Sequence, residues 1–497
     1  MESASTRRLV IAIAGVICAP VVGWDIAQGN LLLPALFGGA LLLGILARWV
    51  GVQAGALLCS VLLVGYLVGN RGFAQLNAPG IPLLPGELVV AVSVALVAWH
   101  AARTQRLPIQ RDAINGLVLL WILVGVCRIP FDFRDYRIVA LRDFAMIYYA
   151  VFFFAAQSWA AMAAERRLLE RALTLGLALC GPVFYLFDLR QEWFTSNLTL
   201  GGVPLIFVKS DVAGGFMAAA VIWFADRHAA TRNLGWLVVA AAALFSTVVC
   251  NSRAAIVALL AGLLWLVLVR AWRQLWTIGA LIAVGLFVLG VHSAVDRRPF
   301  SESPLFRIYE SATSMADIQG TRTYQTANLS DKPDNNQFRL VWWRTVIDET
   351  VASGLWFGLG FGRDLAAEFL RAYYADAIDD FTARSPHNIL FTVFGRMGVV
   401  GSTVLLALIV ALANATWKAG RHALTVPYSV SRLRLWLTVW TLLVSACFGV
   451  VLEGPMGAVV FWTVLGMANA QLATPPEPSA ATTTPTSPLQ ATSPSPA

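Results

Sequence analysis

Residues 384–401 read Arg384-Ser385-Pro386-His387-Asn388-Ile389-Leu390-Phe391-Thr392-Val393-Phe394-Gly395-Arg396-Met397-Gly398-Val399-Val400-Gly401. A polar stretch that begins at His292 ends here, and an apolar run from Ile389 to Ala413 starts without an intervening turn. One long polar insert among apolar runs defines the architecture. Over 497 residues, 58% are hydrophobic, only 13% are charged, and the mean hydropathy is +0.69. Soluble multi-domain proteins rarely reach such values, so the chain reads as an all-α polytopic integral membrane protein.

Working outward, apolar runs of bilayer-spanning or nearly spanning length occur before the polar stretch at Leu9–Val22, Leu31–Ala47, Ala54–Val68, Leu88–Trp99, Ile114–Cys127, Leu141–Trp159 and Ala172–Phe187. They continue at Val212–Phe224, Trp236–Cys250, Ala254–Val269 and Leu275–Val291, and resume after it at Ile389–Ala413, Leu435–Val451 and Met456–Ala470. The pattern predicts 12–14 transmembrane helices. Runs such as Leu88–Trp99 and Val212–Phe224 fall short of the roughly 20 residues of a full span, so polar flanks or tilt must supply the rest. The expected organisation is an N-terminal bundle over 1–291, a partly helical loop region over 292–387, C-terminal transmembrane helices over 388–471 and a tail over 472–497. That tail is rich in Pro, Ser and Thr, cannot bury apolar surface, and is expected to be disordered.

The basic residues orient the chain. With the N-terminus inside, the predicted cytoplasmic segments carry Arg7 and Arg8, Arg48, Arg103 with Arg106 and Arg111, Arg166 with Arg167 and Arg171, Arg227 with Arg232, and Arg270 with Arg273. The last of them carries Lys418, Arg421, Arg432 and Arg434. This is the bias that keeps short basic loops in the cytoplasm. The slightly acidic long loop then falls outside, and the net charge of +8 reflects topology rather than nucleic-acid binding. The first run follows Arg7-Arg8 like a secretory signal, but the many runs behind it favour a retained helix. Cys18, Cys59, Cys127, Cys180, Cys250 and Cys447 sit in or beside spans, a distribution that predicts neither a disulfide framework nor a thiolate zinc site.

Ionisable residues cluster on the expected outer side, where they need a cavity or a partner. Arg128, Arg134 and Arg137 precede the sixth run, Arg142-Asp143 opens it, Lys209 and Asp211 precede the eighth, and Asn251-Ser252-Arg253 forms a short turn. An arginine held in such a turn can grip a phosphate through paired hydrogen bonds; the competing reading is an interfacial, snorkelling side chain. Within the loop, Gln337–Val351 reads as a helix with Phe338, Val341, Trp342, Val346 and Ile347 as its apolar stripe and Arg339 on the flank. Gly358-Leu359-Gly360-Phe361-Gly362 permits tight turns and close backbone approach, while lacking the strand and the Lys-Ser or Lys-Thr partner of a nucleotide loop. Asp364–Tyr374 is a second candidate helix. His387, where the chain re-enters the membrane, can take a proton from a hydroxyl or bond a phosphate, or simply cap the interface. Asp376, Asp379 and Asp380 offer hard oxygen ligands but read more simply as a solvated acidic helix end.

Together these elements resemble the O-antigen ligase and polymerase superfamily of bacterial membrane glycosyltransferases. The turn Asn251-Ser252-Arg253-Ala254-Ala255, Phe338-Arg339 with Trp342-Trp343, the segment Gly358–Gly362, and Pro386-His387-Asn388-Ile389-Leu390 followed by Gly398 and Gly401 carry the likeness, over roughly Arg253 to Gly401. A departure is Arg396, where many relatives have an acidic residue, which bears on acceptor recognition. The resemblance implies transfer of a glycan from undecaprenyl diphosphate on the periplasmic face of the bacterial inner (cytoplasmic) membrane, with no nucleotide sugar, cofactor or metal. It carries over His387, Arg253 and Arg339 as catalytic positions.

On this reading Arg253 and Arg339 clamp the diphosphate, with Arg137, Arg142 and Lys209 as further substrate-binding candidates. His387 then orients or deprotonates the acceptor hydroxyl, giving inversion at the anomeric carbon. The expected partners are the lipid-linked glycan donor, the bilayer, and a lipid A-core, protein or growing-glycan acceptor, with no nucleic acid. The favoured function is an O-antigen ligase-like glycosyltransferase of surface polysaccharide biosynthesis. The alternatives are an O-antigen or exopolysaccharide polymerase joining lipid-linked repeat units, and a polysaccharide-related transporter or flippase, which would place its charges at mid-membrane instead.

Overall fold

The computed structural model describes residues 52–76, 84–104, 109–249, 252–295, 332–373, 383–425 and 430–473, with scattered positions between 299 and 322. The first two apolar runs, Asn251, the acidic group Asp376–Asp380 and the tail beyond residue 473 lie outside the described residues.

Among the described residues the regular structure is helical, apart from one short antiparallel hairpin. In order, α1 is Val52–Val68, α2 Asn70–Ala74, α3 Pro85–Thr104, α4 Ala113–Tyr136, α5 Ile138–Asp143, α6 Ala145–Tyr148, α7 Val151–Ala160, α8 Ala163–Leu189 and α9 Gln191–Asn197. The hairpin, β1 Thr199–Leu200 and β2 Val203–Pro204, leads into α10 Ser210–Thr231, α11 Leu234–Val249, α12 Arg253–Leu268 and α13 Trp272–Val295. Then come α14 Lys332–Ser353, α15 Ala367–Tyr373, α16 Ile389–Thr425, α17 Val430–Ser445 and α18 Pro455–Ala473. The predicted apolar runs from Ala54 onward lie largely on helices, and the short ones gain length from polar ends: Val212–Phe224 lies within the 22 residues of α10, about 33 Å of helix. Helices suit these segments because in hydrocarbon each backbone N–H and C=O must find its partner within the chain. Among the described residues, six helices or end-to-end runs of helices are long and apolar enough to cross a bilayer, and the protein is a multi-pass membrane protein.

α10 is the axis of the bundle. Every residue from Val212 to Asp226 is buried, as expected of a helix that is apolar on all sides. Small residues let its neighbours close in: Gly214 faces Ala255 of α12, Gly215 faces Ser445 of α17, and Ile222 fills the space at Gly262. At one end of this axis, Arg434 of α17 lies 3.9 Å from Asp226 and 3.7 Å from Glu170 of α8, and Gln274 of α13 donates to Asp226 at 3.0 Å. Arg434 also covers the face of Trp223 at 4.5 Å. Asp112, Asn115, Gln157 and Asn469 form an amide and carboxylate knot tying α4, α7 and α18, with Asn469 bonded to Gln157 at 2.7 Å. Segments expected to share the basic loops are thereby gathered at this end.

Two details differ from the sequence pattern. The run Leu435–Val451 does not continue as helix: α17 stops at Ser445, where Cys447 and Phe448 donate to carbonyls only three residues back. Such tightened bonds close a helix end. The chain then turns through residues 446–454 before Pro455 starts α18. α16, expected as one continuous span, is interrupted at Gly398, whose φ of 60° and ψ of −153° only glycine adopts comfortably. Residues 355–360 fill the break. Val399 and Val400 donate to the carbonyls of Leu355 and Trp356 at 2.8 and 3.1 Å, while Leu359 and Gly360 donate back to Gly395 and Arg396 at 2.7 and 3.2 Å.

Candidate functional site

At the other end of α10 the chain enters the helix through Lys209, whose N–H donates to Asn70 at 3.0 Å. Its ammonium lies 3.4 Å from the Asp211 carboxylate. The Asp211 carbonyl accepts from Ser445 at 2.9 Å, which fastens α17 here. Arg253 is the first residue of α12, preceded by an extended Ser252, and because Ala255 sits on Gly214 it is held at the same end as Lys209.

Arg339 is delivered by α14, which matches the helix expected over Gln337–Val351 and extends it at both ends. Its paired tryptophans do the docking. Trp342 is buried, donates to the Leu365 carbonyl at 2.7 Å and stacks on Phe369 of α15; Trp343 donates to the Pro386 carbonyl at 2.8 Å and stacks on Phe391. Arg339 thereby points its guanidinium at the Phe448 carbonyl, 3.4 Å away in the turn after α17. Burial lowers the proton affinity of this guanidinium, with the Asp211 carboxylate opposing the shift.

His387 sits on the last residue but one before α16. Asn388 caps that helix, accepting from the Leu390 N–H at 3.0 Å, and Ile389 donates to Ala446 at 2.9 Å. His387 itself takes a left-handed φ of 53°, which for a side-chain-bearing residue costs about 1–3 kcal/mol and persists only where the surroundings enforce it. Its ring lies 6.0 Å from that of Trp342. Burial first, then the charges of Lys209 and Arg339, push its pKa from 6.5 down to about 4, against a smaller pull from Asp211. The imidazole is therefore neutral at ordinary pH and free to accept a proton, in surroundings whose positive potential suits an anion.

The structure thus brings Lys209, Arg339 and His387 together around Asp211 and places Arg253 at the same end. Arg137 and Arg142 are exposed on the elbow between α4 and α5, beside the glycine segment rather than within this group. Arg396 has a different task. Its buried guanidinium lies 2.8 Å from Asp143 and donates to the carbonyls of Gly360 and Arg363, while Phe361 and Gly362 donate to Asp132 and Asp143 at 2.8 and 2.9 Å. Gly358, Gly360 and Gly362 all adopt positive φ to make this possible. Arg396 is an anchor for the glycine segment, which removes it from the residues facing the cation cluster.

Sequence reasoning passed over the turn at 446–454. Phe448 receives Arg339, Gly449 lies against the Asp211 carboxylate where a Cβ would not fit, and Glu453 accepts from Thr392 at 3.1 Å. Burial raises the Glu453 pKa, while Ser385, Arg396 and Thr392 pull it back. The only signal was a lone acid between Gly449 and Gly454-Pro455 at the edge of an apolar run.

Residues 236–406 match the family model described as O-Antigen ligase, a stretch that runs from α11 into α16 and contains Arg253, Arg339, the glycine segment and His387. Lys209, Asp211 and the turn at 446–454 lie outside the match. No curated protein matches the chain. This multi-pass membrane protein carries an O-antigen ligase domain over residues 236–406, and with it the character of a ligase- or polymerase-type membrane glycosyltransferase.

Proposed function

We propose that the protein is an O-antigen ligase-like enzyme that transfers a glycan from undecaprenyl diphosphate to an acceptor hydroxyl, at a site on the periplasmic face of the bacterial inner membrane. The observation that carries this reading is the neutral, half-buried His387 set among Lys209, Arg339 and the Arg253 helix end, with Asp211 as the counter-charge. A lipid-linked diphosphate is an anion that cations grouped in this way can hold.

Arg339 and Arg253 neutralise the charge that grows on the diphosphate oxygen as the bond to the sugar C1 breaks, with Lys209 contributing beside them. The diphosphate leaves with both bonding electrons, so no strong general acid is required. His387 takes the proton from the acceptor hydroxyl as its oxygen forms the new bond to C1, from the face opposite the leaving group, and the anomeric configuration inverts. The residues assigned these steps need neither metal nor cofactor. Arg137 and Arg142, exposed on the α4–α5 elbow, act as outlying contacts for the donor's charged or glycan portion.

The test compares cells lacking the protein with cells carrying the wild type or His387→Ala, extracting undecaprenyl-linked glycans and sizing them beside the surface polysaccharide. Long polymer stranded on the carrier in the mutants is the expected result. Single repeat units there would make the enzyme a polymerase, and unchanged carrier-linked glycan with intact surface polysaccharide would refute the reading.

A further inference from the structure

The left-handed turn at His387 needs restraint from both sides, and one buried carboxyl supplies it. Ser385 precedes His387 by two residues and Thr392 follows it on the first turns of α16. Their hydroxyl oxygens are 3.2 Å apart, and Thr392 donates to Glu453 at 3.1 Å. Because the Thr392 hydroxyl proton goes to Glu453, Ser385 donates to Thr392, and this contact closes residues 385–392 into a ring around the histidine turn that Glu453 braces. Ser385 and Thr392 are themselves buried, leaving water no role in holding them.

The groups facing this ring are Arg396, which attracts the carboxylate, and Asp143, which repels it. Arg396 is already engaged by Asp143 at 2.8 Å and by the glycine-segment carbonyls, so it is not the carboxyl's direct partner. The ring is also continuous with the turn that touches the rest of the site. Within residues 446–453, Ala446 accepts from Ile389, Phe448 accepts from Arg339, Gly449 meets Asp211, and Glu453 closes on the histidine turn.

We infer that Glu453 is the positioning residue of His387: by holding Ser385 and Thr392 together it fixes the strained turn that aims the imidazole at the bound donor and acceptor. This rests on the proposed role of His387. The carboxyl does not touch substrate and carries no proton in the reaction. Its work is geometric, and an amide of the same shape can take it over, since glutamine also accepts from Thr392 through Oε1.

The experiment measures transfer from undecaprenyl-diphosphate-linked glycan by the full-length protein in proteoliposomes, with Glu453→Gln, Glu453→Ala, His387→Ala and the double variant Glu453→Ala/His387→Ala. Glu453→Gln is expected to stay within about 3-fold of wild type, and Glu453→Ala to lose about 30-fold in kcat with the donor KM unchanged. The double variant is expected to be no worse than His387→Ala, because removing the support of an absent side chain has no further effect. A Glu453→Ala loss that adds fully to that of His387→Ala, or a Glu453→Gln as damaged as Glu453→Ala, overturns the positioning role. If Glu453→Ala does not accumulate, the pair Ser385→Ala/Thr392→Val removes the same ring from the other side and must reproduce the kcat loss. Failure of the underlying reading is distinguishable, since it would leave His387→Ala itself active.

Discussion

The two ends of α10 carry similar residues in different proportions. At the Asp226 end, Arg434 is met by Asp226 and Glu170, its plane is covered by Trp223, and Gln274 completes the carboxylate's bonding. At the Lys209 end, Lys209 and Arg339 share Asp211, and burial first, then the positive charges beside it, hold His387 neutral. The first group matches cation to anion and holds helices together. The second has more cations than anions among these side chains, which is the imbalance that the proposed binding of a diphosphate would use. Buried charges of either kind are costly, so a surplus retained at one end calls for a ligand of opposite sign.

The comparison breaks most directly at His387. His387→Ala should lower kcat by about 10²–10⁴-fold, the usual worth of a positioned base, with little change in thermal stability in detergent; an active variant would reduce the Lys209 end to another brace. Arg434→Ala should do the reverse. Leaving Asp226 buried without its cation should destabilise the fold by about 3–5 kcal/mol, read as a lowered unfolding temperature, while correctly folded molecules keep their turnover. Arg339→Lys should cost on the order of 10²-fold in transfer, because a point charge cannot reproduce the paired geometry of a guanidinium on a diphosphate. Full activity of that variant would remove the clamp.

The pH profile sharpens the contrast further. A base with pKa about 4 works neutral, so kcat/KM should fall only as pH drops through about 4, well below the usual histidine value of 6.5. Bound diphosphate adds negative charge and favours the imidazolium, so the acid limb of kcat should lie above that of kcat/KM. The two limbs coinciding would mean that the diphosphate binds away from His387. Arg142→Ala should have the smallest effect: this exposed side chain on the elbow should raise the donor KM a few-fold, in a salt-dependent way, and leave kcat alone.

Much of the fold was legible because hydrophobicity along a membrane-spanning chain is a local property. The helix bearing Arg339 and the tryptophan pair was visible from its stripe, and it docks through the residues that define that stripe. The site was legible where its members stand beside a structural boundary, as Arg253 does at the start of α12 and His387 just before α16. What escaped was long-range pairing. Arg396 stood out in the sequence only as a departure bearing on acceptor recognition, and its contact with Asp143, far earlier in the chain, reveals an anchor. Glu453 escaped for the same reason: Thr392 is 61 positions away, and no periodicity links them. The end of α17 at Ser445 was hidden because Ala446–Val451 is apolar enough to pass for helix, although it receives two side chains, Arg339 and Asp211, and the backbone N–H of Ile389.

The break at Gly398 also bears on how the protein is made. Residues 355–360 complete their backbone bonding only with residues 395–400, which leave the ribosome later and belong to the next span. The loop therefore cannot reach its final form until that span has been inserted, and a nascent chain halted ahead of Val400 would hold the glycine segment without its template. Insertion of α16 therefore finishes the glycine segment, and the turn at 446–454, made later still, closes on Arg339 and on the His387 turn, so the site matures late in biogenesis.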